Sequence, residues 1–425
     1  MFTFFISIIA LVLGYVFYGK LVERVFGIEP ERKTPALTRT DGVDYVPLPA
    51  WRIFLIQFLN IAGLGPIFGA ILGIFYGPAA FLWIVLGSIF AGGVHDYMAG
   101  MMSIRKDGAS LPEIVGSELG MPIRQFMRLL SVVLLVLLTT NFMTSPATLL
   151  ANLCGGSEVN SIFTTQMFWL VVIFAYYALA TILPIDKLIG RFYPIFGALL
   201  LFMGIGIAFV MVGWHSGDML ELTDGLQNRQ TNDLPLFPMM FVSIACGAIS
   251  GFHGTQSPLM ARCCTSERQG RHIFYGAMIS ESVIALVWAA AGVSFYGTTQ
   301  LLNEALANGA SNVVYEISTG VLGVVGGVLA VAGVVVCPIT SGDTAFRSAR
   351  LILGETFKLD QKKIKNRLLI TIPLLAIGGL LTWFAIVNDN GFQTIWRYFS
   401  WSNQTLAMIA LWVATAYLLK KANTA

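Results

Sequence analysis

Four titratable side chains lie in stretches of the sequence that are otherwise apolar. His95 and Asp96 are neighbours, His253 stands in a glycine-rich stretch, and Glu281 stands between two serines. An ionisable group inside a hydrocarbon layer costs free energy, so Asp96, His253 and Glu281 are candidates for a functional site, whereas the sequence does not decide the role of His95. The carboxylates could carry a coupling proton, and a histidine could contact a solute or pass a proton on. The competing explanation is that each side chain only bonds a neighbouring helix or an arginine.

The spacing of the two carboxylates points to an internal repeat. Asp96 and Glu281 are 185 residues apart, and the same separation carries Gly63 onto Ala248, each at an interruption of an apolar run. At about 1.5 Å of helix rise per residue, both carboxylates would lie on the order of 10–14 Å inside the same membrane boundary. The sequence therefore predicts an acidic group at matched depth in two halves of the chain.

The composition requires lipid as the solvent for most of this chain. Of the 425 residues, 56% are hydrophobic and only 12% are charged, and the mean hydropathy is +0.75. Soluble domains have about 25% charged residues. The net charge of +3 is small, and no basic block is long enough to favour nucleic acid. Five scattered cysteines predict no disulfide framework, and the cysteine and histidine spacing predicts no metal site.

Eleven apolar stretches are long enough to cross a bilayer, which takes about 20 residues. The predicted spans are residues 2–19, 51–75, 79–102, 124–153, 166–183, 190–214, 236–261, 272–297, 319–342, 367–387 and 395–419. With the N-terminus outside, 24 of the 26 lysines and arginines lie in segments 20–52, 103–128, 184–191, 262–271, 343–367 and 420–425. Basic residues concentrate in cytoplasmic loops, so the N-terminus is predicted outside and the C-terminus in the cytoplasm.

The second and seventh spans are interrupted by glycine, proline and polar residues. These interruptions contain most of the residues predicted to contact a solute, namely Asn60, Gly63, Gly65, Ser250, Gly251 and His253. The two helices lie five spans apart and run in opposite directions, as in an inverted repeat, although each interruption could be only a kink. The prediction is an all-α integral membrane protein with a LeuT-like arrangement. An extra N-terminal helix (1–35) would precede a first five-helix repeat (36–235) and an inverted second one (236–425).

Polar residues on three other spans complete the predicted site. Asn141 and Asn403 would line the same cavity as the interruptions. Thr340 and Ser341 are predicted ion ligands by analogy, since the matching helix of LeuT-like transporters gives hydroxyls to a sodium ion. Asp343 is a further candidate for ion coupling, or it caps, gates or pairs with a nearby arginine.

Five blocks of the sequence, spread over nearly the whole chain, are residues 51–70, 94–97, 247–253, 338–347 and 398–404. They resemble the carbon starvation protein A family. The resemblance implies a plasma-membrane transporter of peptides or pyruvate that is used when preferred carbon runs short. Longer members of the family are expected to have further C-terminal helices, and the run after His253 departs from the family's pattern.

The sequence thus predicts a secondary transporter of the cell inner membrane that imports a small organic solute by alternating access, and not an enzyme. Coupling to H⁺ would use Asp96, Glu281 or His253, and coupling to Na⁺ would use Thr340 and Ser341; no other cofactor is expected. The partners would be lipid and solute, with a homo-oligomer left open. A channel, which needs a continuous polar pore, and a membrane enzyme, which needs a nucleophile and base or metal ligands, are the alternatives.

Overall fold

The computed structural model describes residues 1–155, 161–182, 193–230, 234–361, 363–388 and 391–424, and these ranges contain no strand. The helices are α1 (Phe2–Phe26), α2 (Ala50–Ile61), α3 (Leu64–Ile74), α4 (Ala79–Arg105), α5 (Leu111–Leu119), α6 (Met121–Leu153), α7 (Gln166–Ile182), α8 (Tyr193–Trp214), α9 (Leu236–Ser243), α10 (Gly251–Ala261), α11 (Glu267–Tyr296), α12 (Thr299–Leu306), α13 (Ala310–Phe357), α14 (Ile364–Val387) and α15 (Gly391–Thr424). The predicted cytoplasmic segment 184–191 lies outside the described residues.

The predicted all-helical membrane architecture is confirmed. Among the described residues, eight helices are long and apolar enough to cross a membrane, and counting the bent pair α2 and α3 as one span gives nine. Helix α7 is apolar but slightly shorter, and α9 with α10 takes the place of the interrupted seventh span. Each of the eleven predicted stretches therefore corresponds to a helix or a helix pair in the described part of the chain.

The first interruption separates α2 from α3, whose axes differ in direction by 45°. Ala62 and Gly63 leave the helical path between them. Pro66 is the third residue of α3, where a backbone N–H has no partner within the helix, so the donor that proline lacks is not missed. The sequence Gly-Leu-Gly-Pro thereby ends one half-helix and begins the next within one apolar stretch.

The second interruption covers residues 244–250, between α9 and α10. Gly247 has a φ of 87°, a left-handed conformation that residues with a Cβ atom rarely adopt. Ser250 is extended and directly precedes the first turn of α10. Two interrupted helices are therefore present at the places that the sequence predicts.

Helices α4 and α11 follow the two interruptions and carry the two intramembrane carboxylates. Each contains one π-helical turn, Ser88–Gly92 in α4 and Arg271–Tyr275 in α11. Asp96 follows its π turn by four residues, and Glu281 follows its own by six. The two carboxylates thus lie at similar distances after a π turn, and α1 contains a third π turn at Gly14–Tyr18.

Helix α13 differs from the predicted ninth span, residues 319–342. It is interrupted at Gly323, where φ is 67°, and it then continues far beyond the predicted end. Asp343 and Arg347 are buried within this helix, so the first part of the predicted cytoplasmic segment 343–367 is helical and packed inside the bundle. Hydropathy treats a charge as the end of a span and therefore does not indicate that these charges are buried among other helices.

Apolar side chains cover the outside of the bundle, as a lipid-facing surface requires. Val324 is 82% exposed, and Phe209 and Trp412 are 68% and 64% exposed. A groove of about 690 Å³ formed by α1, α2, α8 and α11 is lined almost entirely by apolar residues. His95 and Asp96 of α4, His253 of α10 and Glu281 of α11 are instead buried, so these three helices position the chemistry inside the bundle.

Candidate functional site

The two interruptions pack against each other. A Cβ atom added to Gly65 of α3 would lie 2.4 Å from both Cβ and Sγ of Cys246, which belongs to the second interruption. A Cβ atom on Gly247 would lie 3.5 Å from Pro66. The close approach therefore requires a residue without a side chain at Gly65. The structure brings together the two places that the sequence predicts to form the site.

Four buried titratable side chains form a connected chain beside the second interruption. Asp96 lies between two histidines, with Oδ1 2.8 Å from Nδ1 of His95 and Oδ2 3.0 Å from Nδ1 of His253. The other ring nitrogen of His253, Nε2, lies 3.4 Å from Oε2 of Glu281. All four residues are at most 1% exposed. We call this set the buried quartet.

Three helices supply the buried quartet. Helix α4 carries His95 and Asp96, the first turn of α10 carries His253, and α11 carries Glu281. A Cβ atom on Gly254 of α10 would lie 3.0 Å from the His95 ring, so the glycine lets α4 and α10 approach closely. The two repeats therefore share one cluster, with one carboxylate from the second helix of each.

The sequence identified three members of the quartet separately, and the structure joins them. The matched spacing placed Asp96 and Glu281 at similar depth, but it did not indicate that both reach the same imidazole. The sequence alone does not decide the role of His95. Its position next to Asp96 was the one available signal, and the structure shows that its Nδ1 faces that carboxylate.

The hydrogen bonds of the quartet define how it can hold a proton. Asp96 accepts a hydrogen bond from each histidine when it is ionised and both histidines carry a proton on Nδ1, an assignment made from the partner atoms. The contact between His253 and Glu281 is then favourable in two forms. Either His253 is a cation beside a carboxylate, or Glu281 is protonated beside a neutral imidazole. Both forms hold one shared proton, and its loss leaves a carboxylate facing an imidazole lone pair.

Glu281 has the surroundings of a reversible proton site. Neither of its oxygens has a hydrogen-bond partner of good geometry among the described residues, although the backbone N–H of Gly247 faces the carboxyl group. Buried polar atoms are nearly always hydrogen-bonded, so such atoms need an explanation. One explanation is that the carboxyl group gains and loses a proton during a reaction cycle.

Asn403 holds the start of α10 in place. Its Oδ1 accepts from the backbone N–H of Phe252 at 2.8 Å and from the hydroxyl of Ser250 at 3.2 Å. Its backbone carbonyl would lie 2.4 Å from a Cβ atom on Gly251. The predicted solute residues Ser250, Gly251 and Asn403 are thus together, but the Asn403 side chain is occupied with capping this half-helix.

We expect the substitution Asn403→Ala to lower the free energy of unfolding by about 1–3 kcal/mol, because it leaves buried donors at Ser250 and Phe252 without an acceptor. Thermal unfolding of the purified protein measures this. The matched control is Asn388→Ala, since the side chain of Asn388 is exposed and donates to the nearby carbonyl of Phe384. Equal stability losses in the two variants would contradict the capping role.

Hydroxyl groups of α13 reach the first interruption. Ser341 donates to the backbone carbonyl of Asn60 at 2.6 Å, and a Cβ atom on Gly63 would lie 3.3 Å from the same hydroxyl oxygen. The Thr340 hydroxyl instead donates to the carbonyl of Cys337 in its own helix, at 2.8 Å. Of the two predicted ion ligands, Ser341 therefore contacts the interruption directly.

Helix α6 lies on the other side of the first interruption. The ring of Phe142 would be 3.4 Å from a Cβ atom on Gly63. The neighbouring Asn141 is buried and donates to the carbonyl of Leu137 at 3.1 Å, while its Oδ1 has no hydrogen-bond partner in the described part of the chain. This oxygen remains available to a polar group, which is compatible with the predicted role of Asn141.

Asp343 belongs to a different cluster from the quartet. Its Oδ1 lies 3.9 Å from Nη2 of Arg347, one turn further along α13. Oδ1 of Asp44, in the segment before α2, lies 3.9 Å from Arg347 and 3.6 Å from Arg350. We call Asp44, Asp343, Arg347 and Arg350 the arginine cluster.

One face of the bundle carries many cations and is called the basic face. Its members include Arg39, Arg105, Lys106, Arg262, Lys420 and Lys421. Burial would raise the pKa of Glu118 on α5, but hydrogen bonds from Lys106 and Lys420 outweigh it and hold that pKa below its ordinary value. The ionised Glu118 thereby ties α5 to the end of α15.

Two cavities lie on the face opposite the basic face. One of about 280 Å³ is lined partly by Thr144 and Ser145 of α6, and one of about 330 Å³ partly by Arg397 of α15. Both touch Gly309 and Phe392. Between α10 and α13, toward the basic face, a space of only about 10 Å³ is present. That volume is close to what one water molecule needs, so this space is closed to a solute.

The interrupted helices and their packing define the class of protein, which is a helical membrane protein with the LeuT-like fold. MhsT in complex with L-phenylalanine matches with a TM-score of 0.61 and 15% identity, over 86% of this chain and 88% of that one. A Na⁺-coupled sialic acid symporter in a substrate-bound outward-open state matches with a TM-score of 0.51 and 14% identity, over 92% and 82%. The predicted LeuT-like architecture is confirmed.

The chain belongs to the family described as carbon starvation protein CstA, whose sequence profile matches residues 1–164, 147–301 and 287–425. An uncharacterized membrane protein of Haemophilus influenzae is 46% identical over 73% of this chain and 95% of its own length. The peptide transporter CstA of Escherichia coli is 26% identical over 97% and 76%. The pyruvate/proton symporter BtsT of Escherichia coli is 26% identical over 66% and 47%. The resemblance of the sequence blocks is confirmed.

Proposed function

We propose that this chain is a secondary active transporter that imports a short peptide or pyruvate by alternating access, coupled to the entry of a proton. The buried quartet is the observation that carries the proposal, because it joins carboxylates of both repeats to a histidine at the second interruption. The printed names of two Escherichia coli relatives, a peptide transporter and a pyruvate/proton symporter, support the class of solute and the coupling.

The solute would bind between the two interruptions, where α3 begins at Leu64 and α10 begins at Gly251. The N-terminal ends of both half-helices have a positive partial charge, which favours a carboxylate. Every predicted solute, a peptide or pyruvate, has a carboxylate. Protonation of the quartet beside this site would bias the helices between their two arrangements.

The quartet couples the proton to solute movement through its packing. When the shared proton is present, His253 on α10 and Glu281 on α11 attract each other across 3.4 Å. When the proton is absent, the same atoms repel, which favours separation of α10 from α11. Because α10 is also one wall of the solute site, proton loss and solute release would occur together. The protonated and the deprotonated quartet would thus each favour a different conformation of the protein.

Sodium is the second candidate for the coupling ion. The contact between the Ser341 hydroxyl and the Asn60 carbonyl at the first interruption favours it, since both oxygens are of the kind that bind a hard cation. A sodium ion there would join α13 to the interruption, and Thr340 and Asp343 lie on the same helix. Replacement of sodium by choline separates the two candidates.

The concentration of lysine and arginine on the basic face supports the orientation proposed for this chain. That face would meet the cytoplasm, with the N-terminus outside and the protein in the inner membrane. The cavities near Arg397 would then open outward, and the closed space between α10 and α13 would lie toward the cytoplasm. A role during carbon starvation is proposed from the family's description.

Uptake by proteoliposomes tests the proposal. In sodium-free choline buffer, an inward proton gradient is expected to drive accumulation of radiolabelled pyruvate or dialanine above its external concentration. No accumulation of either solute under any proton or sodium gradient would contradict transport of these solutes. Ion current independent of solute would favour a channel, and conversion of the solute by detergent-purified protein would favour an enzyme.

A further inference from the structure

The arginine cluster lies between the interruptions and the basic face, and the mechanism above does not use it. Arg350 and Arg347 are 0% and 1% exposed, and Asp44 is 7% exposed. Their nitrogen–oxygen distances are 3.6 and 3.9 Å, longer than the ~2.7–2.9 Å of a good charged hydrogen bond. The contacts of Asp44 with the two arginines are therefore longer than those of a well-formed ion pair, and Arg347 also donates to the carbonyl of Ala180 at 3.2 Å.

Arg350 presents an unused pair of donors. Its Nη1 donates to Gln361 at 3.0 Å, which fixes the side chain. Its Nε and Nη2 have no hydrogen-bond partner among the described residues, and neither has Oδ1 of Asp44. The fork of N–H groups on a guanidinium matches the two oxygens of a carboxylate. Since burying a charge without good hydrogen bonds is costly, this arrangement fits a group that binds a ligand for part of the time.

Helix α13 runs beside α2 from the first interruption to the cluster. Ser341 contacts Asn60 near the end of α2, and Arg350 faces Asp44 ahead of the start of α2. Arg350 is nine residues beyond Ser341, roughly 14 Å along the helix axis toward the basic face. A solute that leaves the interruptions toward that face would meet these guanidinium groups.

Asp44 is carried by a compact turn before α2, not by a transmembrane helix. Oδ1 of Asp41 accepts the backbone N–H groups of Val43, Asp44 and Tyr45 at 2.8–2.9 Å. The hydrogen bonds of the turn therefore hold the backbone around Asp44 in place, with its carboxylate facing the arginines. It also leads into α2, one half of the first interrupted helix, so movement of α2 would shift Asp44 relative to α13.

We propose that Arg347 and Arg350 form an exit site for the carboxylate of the transported solute, a site that Asp44 occupies when no solute is there. The inference rests on the proposed function for the identity of the ligand. Exchange of one carboxylate for another keeps the buried charge constant, so the site opens without leaving a bare guanidinium. A neutral solute has no carboxylate to exchange for that of Asp44, so it would not release Asp44.

Chemical rescue tests the site in the purified protein, without transport. The substitution Asp44→Ala removes the internal carboxylate, and acetate is the probe that takes its place. We expect Asp44→Ala to unfold at a lower temperature than the wild type, and sodium acetate to raise that temperature by roughly 1–3 °C relative to sodium chloride of equal concentration. Acetamide, which has the same size and no charge, should give no rise.

Three further comparisons make the test specific. Asp44→Ala combined with Arg350→Gln should lose the response to acetate. Asp107→Asn is the matched control, because Asp107 forms an exposed ion pair with Arg39 at the same face, and it should show no rescue. If Asp44→Ala does not fold, Asp44→Asn keeps the shape of the side chain and is used in the same comparison.

An equal acetate effect in the wild type, Asp44→Ala and the double variant would overturn the exit site, and so would the absence of any acetate effect. Failure of the proposed function is distinguishable from this. Rescue by acetate in detergent combined with no uptake of pyruvate or dialanine would keep the carboxylate site and reject those solutes. Uptake without rescue would keep transport and reject the site.

Discussion

Glu281→Gln is expected to reduce proton-driven accumulation of the solute by roughly 10- to 100-fold, a loss of most of the coupling between proton and solute. Glutamine keeps the size and the polar oxygen of the side chain but cannot gain or lose a proton. Its amide can still contact Nε2 of His253, so the packing of α10 against α11 should persist. Accumulation is measured in proteoliposomes as radiolabelled solute held under an inward proton gradient.

Exchange of internal for external solute provides the internal control for Glu281→Gln. Exchange requires the solute site and the movement of the helices, but no net proton transfer, so it should continue at a rate near that of the wild type. Glu304→Gln is the matched variant, because Glu304 is on the peripheral helix α12 and faces Gln300 outside the buried quartet. Undiminished accumulation in Glu281→Gln would exclude Glu281 as the proton site.

Gly65→Ala is expected to have the largest effect on the framework of the site. The new Cβ atom would lie 2.4 Å from Cβ and Sγ of Cys246, so the two interruptions would have to separate. Overpacking of this kind costs about 1–3 kcal/mol of stability, and here it also displaces both walls of the solute site. We expect a lower unfolding temperature together with a loss of solute uptake and exchange.

Two variants show whether the effect of Gly65→Ala arises from this contact. Cys246→Gly removes both clashing atoms, so the double variant should recover part of the stability lost by Gly65→Ala alone. Gly213→Ala is the matched control, because a Cβ atom there meets nothing within 4 Å and the helix should tolerate it. If the double variant loses more stability than the two single variants lose together, direct packing of the interruptions is contradicted.

The elements of the fold could be predicted because each has a local cause. A run of about 20 apolar residues determines a span, and the Gly-x-Gly-Pro sequence at Gly63 determines an interruption whatever lies around it. The matched separation of Asp96 and Glu281 from the two interruptions can also be read directly from the sequence. These features needed no knowledge of how the helices pack.

The connections within the site could not be predicted for a physical reason. Whether Asp96 and Glu281 reach the same His253 depends on the rotation of α4, α10 and α11 about their axes and on how they cross. Asn403 was predicted to contact the solute, and its capping of α10 depends on a residue more than 150 positions away in the sequence. Long-range contacts of this kind leave no local pattern.

The arginine cluster shows the limit of reasoning from hydropathy. Arg347 and Arg350 look like the loop after a span, since a charge normally marks the membrane boundary. The structure buries them within α13 because Asp44, about 300 residues earlier, supplies a carboxylate. The pairing that makes their burial tolerable comes from a segment that no periodic pattern connects to α13.

The most direct test of the central claim is the internal pH of sodium-free proteoliposomes when pyruvate or dialanine is added outside. A pH-sensitive dye trapped inside reports the proton flux. The buried quartet predicts that the solute alone drives acidification of the interior in the wild type, and that Glu281→Gln abolishes it. Entry of solute into wild-type vesicles with no change of internal pH would contradict proton coupling through the quartet.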